Sequence, residues 1–376
     1  MAKKVVVAGH ICLDVTPVFP KSTAGSFQEL LTPGKLIEMN AADVHTGGCV
    51  ANTGLGMKKL GANVELVGKV GLDAFGGMIG DILPSYGAKN GLIVDKSVTT
   101  SYSVVLAPKG LDRVFLHHPG ANATFKSSDL PDEKFRDTVL LHFGYPPLMN
   151  GMYENDGAEL VSLMKRAKSL GCATSLDMAA VDPSSAAGSV DWQKLLSKVL
   201  PFVDFFMPSV EEICFMLDRA RYESWQNAMD GDITNNLNIE TDAAPFAERL
   251  LQMGAKVVLI KCGAPGVFWR TADEFALNTI SERLCLDVPL WANKGGFEES
   301  FEPERVLSGT GAGDTTIAAF LTAVLDGCSP EECLRLATAT GACCVEEYDA
   351  LSGLRPFEVL REKIANGWKK QHLLKG

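Results

Sequence analysis

The sequence predicts an α/β protein, a doubly wound and mostly parallel central sheet with helices on both faces, joined to a small separate β-sheet. Three observations predict it. From about residue 138 onward, short continuous apolar runs alternate with amphipathic runs of helical period, which is how strands buried on both faces read between their covering helices. The first 125 residues break that rhythm with a stretch rich in Pro, Thr, Ser and Gly and a hairpin-like pair of strands. Two glycine-rich segments, within residues 45–77 and 307–327, open apolar helices, so bare backbone recurs where a ligand would need close approach.

The opening "MAKKVVVAGHICLD" enters a strand at Val5–Gly9; the run is too short for a signal-peptide core and lacks a small-residue cleavage site. Residues 15–46 show no long helical period. Gly47 and Gly48 open a helix that Gly61 ends, and Gly68, Gly71, Gly76 and Gly77 surround Asp73 in the turns that follow. "TSYSVVLAPKGLDRVFLHH" reads as two strands around "PKGLD", a hairpin. Hairpin and irregular stretch together predict a β lid over the ligand edge of the sheet, made by insertions at approximately 15–46 and 99–122 of one domain spanning 1–376.

Further along, strands are expected at "TVLLHFGY", "CATSLDM", "VDFFMPS" and "AKVVLIKCG". Helices are expected at "GAELVSLMKRAKSLG", "DWQKLLSKVLPF", "VEEICFMLD" and, after the polar stretch "MDGDITNNLNIETD", at "APFAERLLQMG". Ligands of such sheets sit at the carboxyl ends of the strands. Asp177, the Pro208–Glu212 turn and Lys261–Gly263 are therefore expected to face one crevice.

Composition narrows the function classes. With 46% hydrophobic and 22% charged residues, the 376-residue chain can bury a sizeable core. A net charge of −11 and a pI near 5.1 argue against a nucleic-acid partner, because a phosphate backbone demands a basic face. No stretch approaches the ~20 apolar residues that span a bilayer, so no membrane partner is expected. Ten cysteines without a CxxC pair read as small buried thiols in a reducing cytosol, not as a disulfide framework or zinc site. The expected location is cytoplasmic.

The stretch "LSGTGAGDTTIAAFLTAVLDG" (307–327) carries the chemistry. Gly309, Gly311 and Gly313 let backbone N–H groups approach an anion, and the helix that follows adds its positive end. The bland reading is a helix start behind a glycine loop. A dinucleotide-binding fingerprint needs a strand before the loop and an acidic residue ~20 positions on; here another helix follows, "SPEECLRLATATGACCVEEY", so that reading fails. Asp314, itself an anion, makes sense if the bound anion is a phosphoryl group in transfer. The transferring group needs donors for its charge, and the accepting hydroxyl needs a carboxylate to take its proton.

In the earlier stretch, Asn52 lies in the first turns of the helix opened by Gly47–Gly48 and offers an amide to a polyol. With Asp14 at the end of the first strand, these groups suit the vicinal hydroxyls of a sugar or nucleoside.

The two stretches, in this order, resemble the two signatures of the PfkB, or ribokinase-like, family of sugar and nucleoside kinases. The resemblance extends over essentially the whole chain: Asp14, "GGCVAN" at 47–52, "GKVGLDAFG" at 68–76, "PSVEE" at 208–212, "KCGAPG" at 261–266 and "GAGD" at 311–314. It implies a ribokinase-like α/β domain with a β lid, ATP and Mg²⁺ as cofactors, and in-line transfer to a hydroxyl of a small polyhydroxylated substrate. Asp314 would be the catalytic base and the backbone of Gly311, Ala312 and Gly313 the anion hole. Asp14, Gly47, Gly48 and Asn52 would hold the substrate. ATP would lie against Lys261, Gly263, Gly266, Gly309, Gly311, Gly313 and Cys343, and Glu212 would position Mg²⁺ through water. A homodimer through the lid is a further form that the resemblance leaves open.

Several positions depart from the family pattern. Ser308–Gly309 stands where Asp-Thr is usual, so a monovalent-cation requirement stays open. Ser209 replaces an amide, and Lys261 replaces a threonine; the lysine either reaches the ATP phosphates or is a solvated strand end. Ala179 and Val181 follow Asp177 where Asn and Arg are usual, and Gly144 stands where ribokinase carries a carboxylate, so ribose is not the favoured acceptor. His117 and His118 point to opposite faces of a strand, which favours a pair of lid residues over a metal site. Cys343 fits beside an adenine or in the core. The reading is an ATP-dependent kinase acting on a hydroxyl, a primary one, of a sugar or sugar derivative. The alternatives are a nucleoside kinase of the same fold and a non-catalytic sugar- or nucleotide-binding regulator.

Overall fold

Alternation along the first strand sets the architecture. In Lys4–Gly9, Val5 and Val7 enter one apolar cluster while Val6 and Ala8 enter another, so this strand is buried on both faces. The computed structural model describes residues 3–20, 26–111, 113–228, 234 and 237–374. Among them the central sheet has nine strands, in the order Gly295–Glu299, Gly266–Thr271, Val257–Lys261, Phe205–Phe206, Ala173–Leu176, Thr138–Gly144, Lys4–Gly9, Asn63–Val67 and Lys89–Asn90. Neighbours are parallel from Val257–Lys261 to Lys89–Asn90. The two strands at the other edge run antiparallel.

One face is covered by helices Cys49–Lys59, Ala312–Leu325 and Pro330–Cys344, the other by Asn150–Ser169, Trp192–Val199, Val210–Leu217 and Ala244–Gln252. Ala312–Leu325 is enclosed by its neighbours, so every residue from Asp314 to Leu325 is buried. Its small side chains allow that close packing, while Phe320 meets Phe205 and Trp291 edge-on. Helix Asn150–Ser169 is interrupted at Glu154–Gly157 by non-helical backbone, and its regular part begins where "GAELV" was expected to start.

A separate four-stranded sheet has the order Asp43–Gly47, Cys12–Thr16, Tyr102–Leu106, Val114–His118. The expected hairpin pairs Tyr102–Leu106 antiparallel with Val114–His118. Asp112 in its turn lies outside the described residues, as do 21–25 of the first insertion and most of the polar stretch at 229–236. Asp73 ties this sheet to the main body: it caps helix Ala74–Ser85 through the Gly76 N–H and accepts from the Thr100 N–H (2.7 Å) and hydroxyl (2.6 Å). No helix among the described residues is long and apolar enough to cross a membrane.

The chain leaves Lys4–Gly9 for the small sheet and then adds Asn63–Val67 on one side and Thr138–Gly144 on the other. Such a reversal of strand order opens a crevice at the carboxyl ends.

Candidate active site

Gly311 starts helix Ala312–Leu325 at φ +74°, and a Cβ there would stand 2.2 Å from that of Ala350. Only glycine lets the loop turn so tightly into the helix. Asp314 follows in the first turn, 4% exposed, where the positive helix end favours a carboxylate. Three side chains hold it. The Tyr145 hydroxyl shares its one proton between both carboxylate oxygens (2.7 and 2.8 Å), Asn52 Nδ2 donates to one (3.0 Å) and Thr53 Oγ1 to the other (3.3 Å). Asn52 and Thr53 come from helix Cys49–Lys59, and Tyr145 comes directly after strand Thr138–Gly144.

Asp314 borders a cavity of about 690 Å³ at the carboxyl ends of the parallel strands. The glycine loop lines it through Gly309, Gly311, Ala312 and Gly313. Opposite stand Asp177, Ser209–Glu212 and Lys261, with Gly263 and Gly266 beyond, so the strand ends expected to share one crevice do so. Lys261 is not a solvated strand end: its ammonium donates to Asp177 Oδ1 at 2.7 Å, with Asp177 1% exposed. Burial pushes the Asp177 carboxyl up, Lys261 pulls it back, and the charges of Glu212 and Asp314 push it further. Burial opposes the Lys261 ammonium, but Asp177, Glu212 and Asp314 together outweigh it and hold Lys261 above its ordinary value. The second Asp177 oxygen is buried without a hydrogen-bond partner among the described residues.

Ser209 does the work of a helix cap. Its hydroxyl accepts from the Glu212 N–H (3.1 Å), and Glu212 Oε2 accepts from the Ser209 N–H (2.6 Å), a reciprocal capping box. Glu212 is thereby aimed along the cavity wall. Cys343, expected beside an adenine or in the core, is buried in the core, while its neighbours Ala342 and Val345 line the cavity.

Asp14, Gly47, Gly48 and Asn52 do not line this cavity, and they connect to it through the helix start. Asp14 lies in the small sheet opposite His45, half-buried, its carboxyl raised by burial. A Cβ on Gly47 would fall 2.0 Å from Asp14 Oδ2, so Asp14 packs there only against glycine. Gly48 caps helix Cys49–Lys59, and the amide nitrogen of Asn52 is already committed to Asp314. His10 faces His117 with ring nitrogens 3.4 Å apart; burial, then His117, lowers His10 to about 3. His118 turns the other way, to Thr99, so the two adjacent histidines do occupy opposite faces.

Tyr145 and Arg113 are among the cavity residues that escaped the sequence reading. Tyr145 is in the left-handed region at φ 66°, where a bulky residue is an outlier, and only its place after a strand end hinted at it. Arg113, just before strand Val114–His118, comes within 3.7 Å of where a Gly309 Cβ would be; one arginine in a hairpin carries no signal of that.

Residues 2–355 match the model of the pfkB family of carbohydrate kinases. The chain belongs to that family. As a pfkB carbohydrate kinase it is a phosphotransferase whose acceptor is an alcohol group of a sugar. It is 24% identical over 305 residues to an uncharacterized sugar kinase of Archaeoglobus fulgidus, covering 80% of this chain and 98% of the relative. Its fold matches a fructokinase with bound ATP from Xylella fastidiosa at a TM-score of 0.71 and 20% identity, over 97% of this chain and 99% of that one. A putative ribokinase II from E. coli, solved with ATP and Mg²⁺, matches at 0.68 and 20% identity, over the same shares of 97% and 99%. These matches bear out the expected ribokinase-like fold with its separate small sheet.

Proposed function

We propose that this kinase transfers the γ-phosphoryl group of ATP to a primary hydroxyl of a small sugar or sugar derivative, with Asp314 as general base. The observation that carries the reading is the position of Asp314: buried, held by three side chains, and directly behind a glycine loop that borders the same cavity. As the acceptor oxygen bonds to the γ-phosphorus and the bond to ADP breaks, the hydroxyl proton passes to Asp314. The N–H groups of Gly311, Ala312 and Gly313 face the charge on the transferring group.

The residues fit Mg²⁺ and ATP. Asp177 presents an unpartnered buried oxygen, and Glu212 adds a carboxylate lining the same cavity, donors suited to a hard cation. Glu212 would hold Mg²⁺ through water. When bound, the ion neutralises phosphate charge. Lys261 supplies a fixed positive charge toward the phosphates, while Gly263, Gly266 and Gly309 give the nucleotide bare backbone. Asp14, Gly47, Gly48 and Asn52 orient the acceptor. The small sheet acts as a lid that excludes water, so ATP is not lost to hydrolysis.

ADP release from MgATP across ketoses, aldoses, sugar phosphates, deoxy sugar acids and nucleosides tests the reading. Turnover on a sugar or sugar derivative supports it. Turnover confined to nucleosides moves the acceptor class, and silence across the panel contradicts it.

A further inference from the structure

We propose that Tyr145 stands in for the acceptor, its phenol occupying the place on Asp314 that the substrate hydroxyl takes and screening that carboxylate from water until an acceptor displaces it. The proposal rests on Asp314 being the base.

An ionised carboxylate offers about four lone-pair sites. On Asp314 the Tyr145 oxygen stands between both carboxylate oxygens, at 2.7 and 2.8 Å, sharing its single proton between them and blocking one approach to each, and Asn52 and Thr53 take the other approaches. An acceptor hydroxyl has to reach one of these oxygens, so one of the three donors must yield. Thr53 is fully buried and Asn52 is its neighbour on helix Cys49–Lys59, so both are fixed by a packed element. Tyr145 belongs to no strand, is only partly buried, and borders the cavity. Its phenol is also the donor that most resembles an acceptor: an O–H on carbon, aimed at the same two oxygens. Burial, with Asp314 and Asp177 nearby, pushes the phenol well above its ordinary range, so it remains a donor.

The backbone adds an independent observation. Tyr145 sits at φ 66°, ψ 40°, followed by Pro146 and Pro147, whose rings limit the chain's alternatives. A bulky residue keeps such a conformation only where its surroundings impose it, and strain of this kind gathers at functional sites. A tyrosine that merely filled space would need neither the left-handed backbone nor a two-oxygen contact with the base.

The consequence is read without knowing the acceptor. In acceptor-free hydrolysis a water oxygen bonds to the γ-phosphorus, its proton goes to Asp314, and ADP leaves, yielding inorganic phosphate. With Tyr145 in place that water has no access to Asp314. Phosphate release from MgATP alone is measured for the wild type, Tyr145→Phe, Asp314→Asn and the double variant, with melting temperature recorded for each. Tyr145→Phe is expected to raise release about tenfold, the factor represented by one hydrogen bond to a charged group, and the rise is expected to vanish in the double variant. Release no faster than wild type from a folded Tyr145→Phe protein, whatever its melting temperature, overturns the proposal. If at the same time Asp314→Asn has lost turnover on the acceptor panel, the base assignment stands and only the stand-in falls. A rise that survives Asp314→Asn overturns both. Should Tyr145→Phe not fold, Tyr145→Asn, which tolerates left-handed backbone, gives the same readings.

Discussion

Lys261 ends a buried strand with its ammonium 2.7 Å from a carboxylate that is 1% exposed. Removing one member of such a pair leaves the other desolvated without compensation. Lys261→Met is therefore expected to cost about 3 kcal/mol of stability, seen as a lower urea midpoint, and to weaken MgATP binding in the same protein. An unchanged midpoint would mean that Asp177 needs no partner. At this scale, what the sequence revealed was what lies close in the chain. Asp314 with Gly309, Gly311 and Gly313 forms one short run, and its place at a helix start follows from the glycines before it and the apolar residues after it. Tyr145 was not legible, since it meets Asp314 across 169 residues of chain. Cys343 was left between an adenine contact and the core because spacing along a helix cannot say which side a small residue presents when the helix is buried nearly all round.

Glu65 lies in strand Asn63–Val67, 3% exposed, and joins three elements. Lys4 reaches it from the start of the first strand at 3.0 Å, and Lys134 reaches it from the short turn Asp132–Lys134. Burial alone would raise this carboxyl; the two lysines reverse that and hold it below its ordinary value. A folded-state value below the unfolded ~4.3 means that its stabilisation is present above that pH and lost as pH falls through the folded value. Glu65→Gln is thus expected to be less stable than wild type at pH 7, with the gap closing below about pH 4, as urea denaturation at both pH values would show. A gap that is constant with pH contradicts the ion-pair account. Among elements, the parallel strands were legible because burial on both faces gives each a continuous apolar run. The edge strand Gly295–Glu299 was not, since "GGFEE" is only half-buried and has no apolar run to notice.

For the whole molecule, the buried histidines set the response to acid. His10 and His142 are both fully buried and lowered to about 3, mainly by burial. Between that value and the unfolded ~6.5 the unfolded chain binds more protons, so stability rises with pH across this window. Each histidine contributes about 1.4 kcal/mol per pH unit there, fully retained above the window and lost as pH falls. Stability is expected to drop steeply from pH 6 to 4, and His142→Gln, which can keep a contact to Ser175, is expected to flatten the slope. The same slope in that variant would contradict it.

The whole-molecule topology was legible because the strand and helix rhythm permits few arrangements. How the small sheet meets the main body was not, because its contacts, such as His10 to His117 and Arg113 to the Gly309 loop, join segments far apart in sequence.

The most direct test of the account is steady-state kinetics of Asp314→Asn beside wild type, on whichever acceptor the panel selects. Loss of the carboxylate proposed to accept the proton is expected to lower kcat on the order of 10²–10⁴-fold while the KM values for MgATP and acceptor stay close to wild type. A kcat near the wild-type value would contradict the assignment of Asp314 as the base.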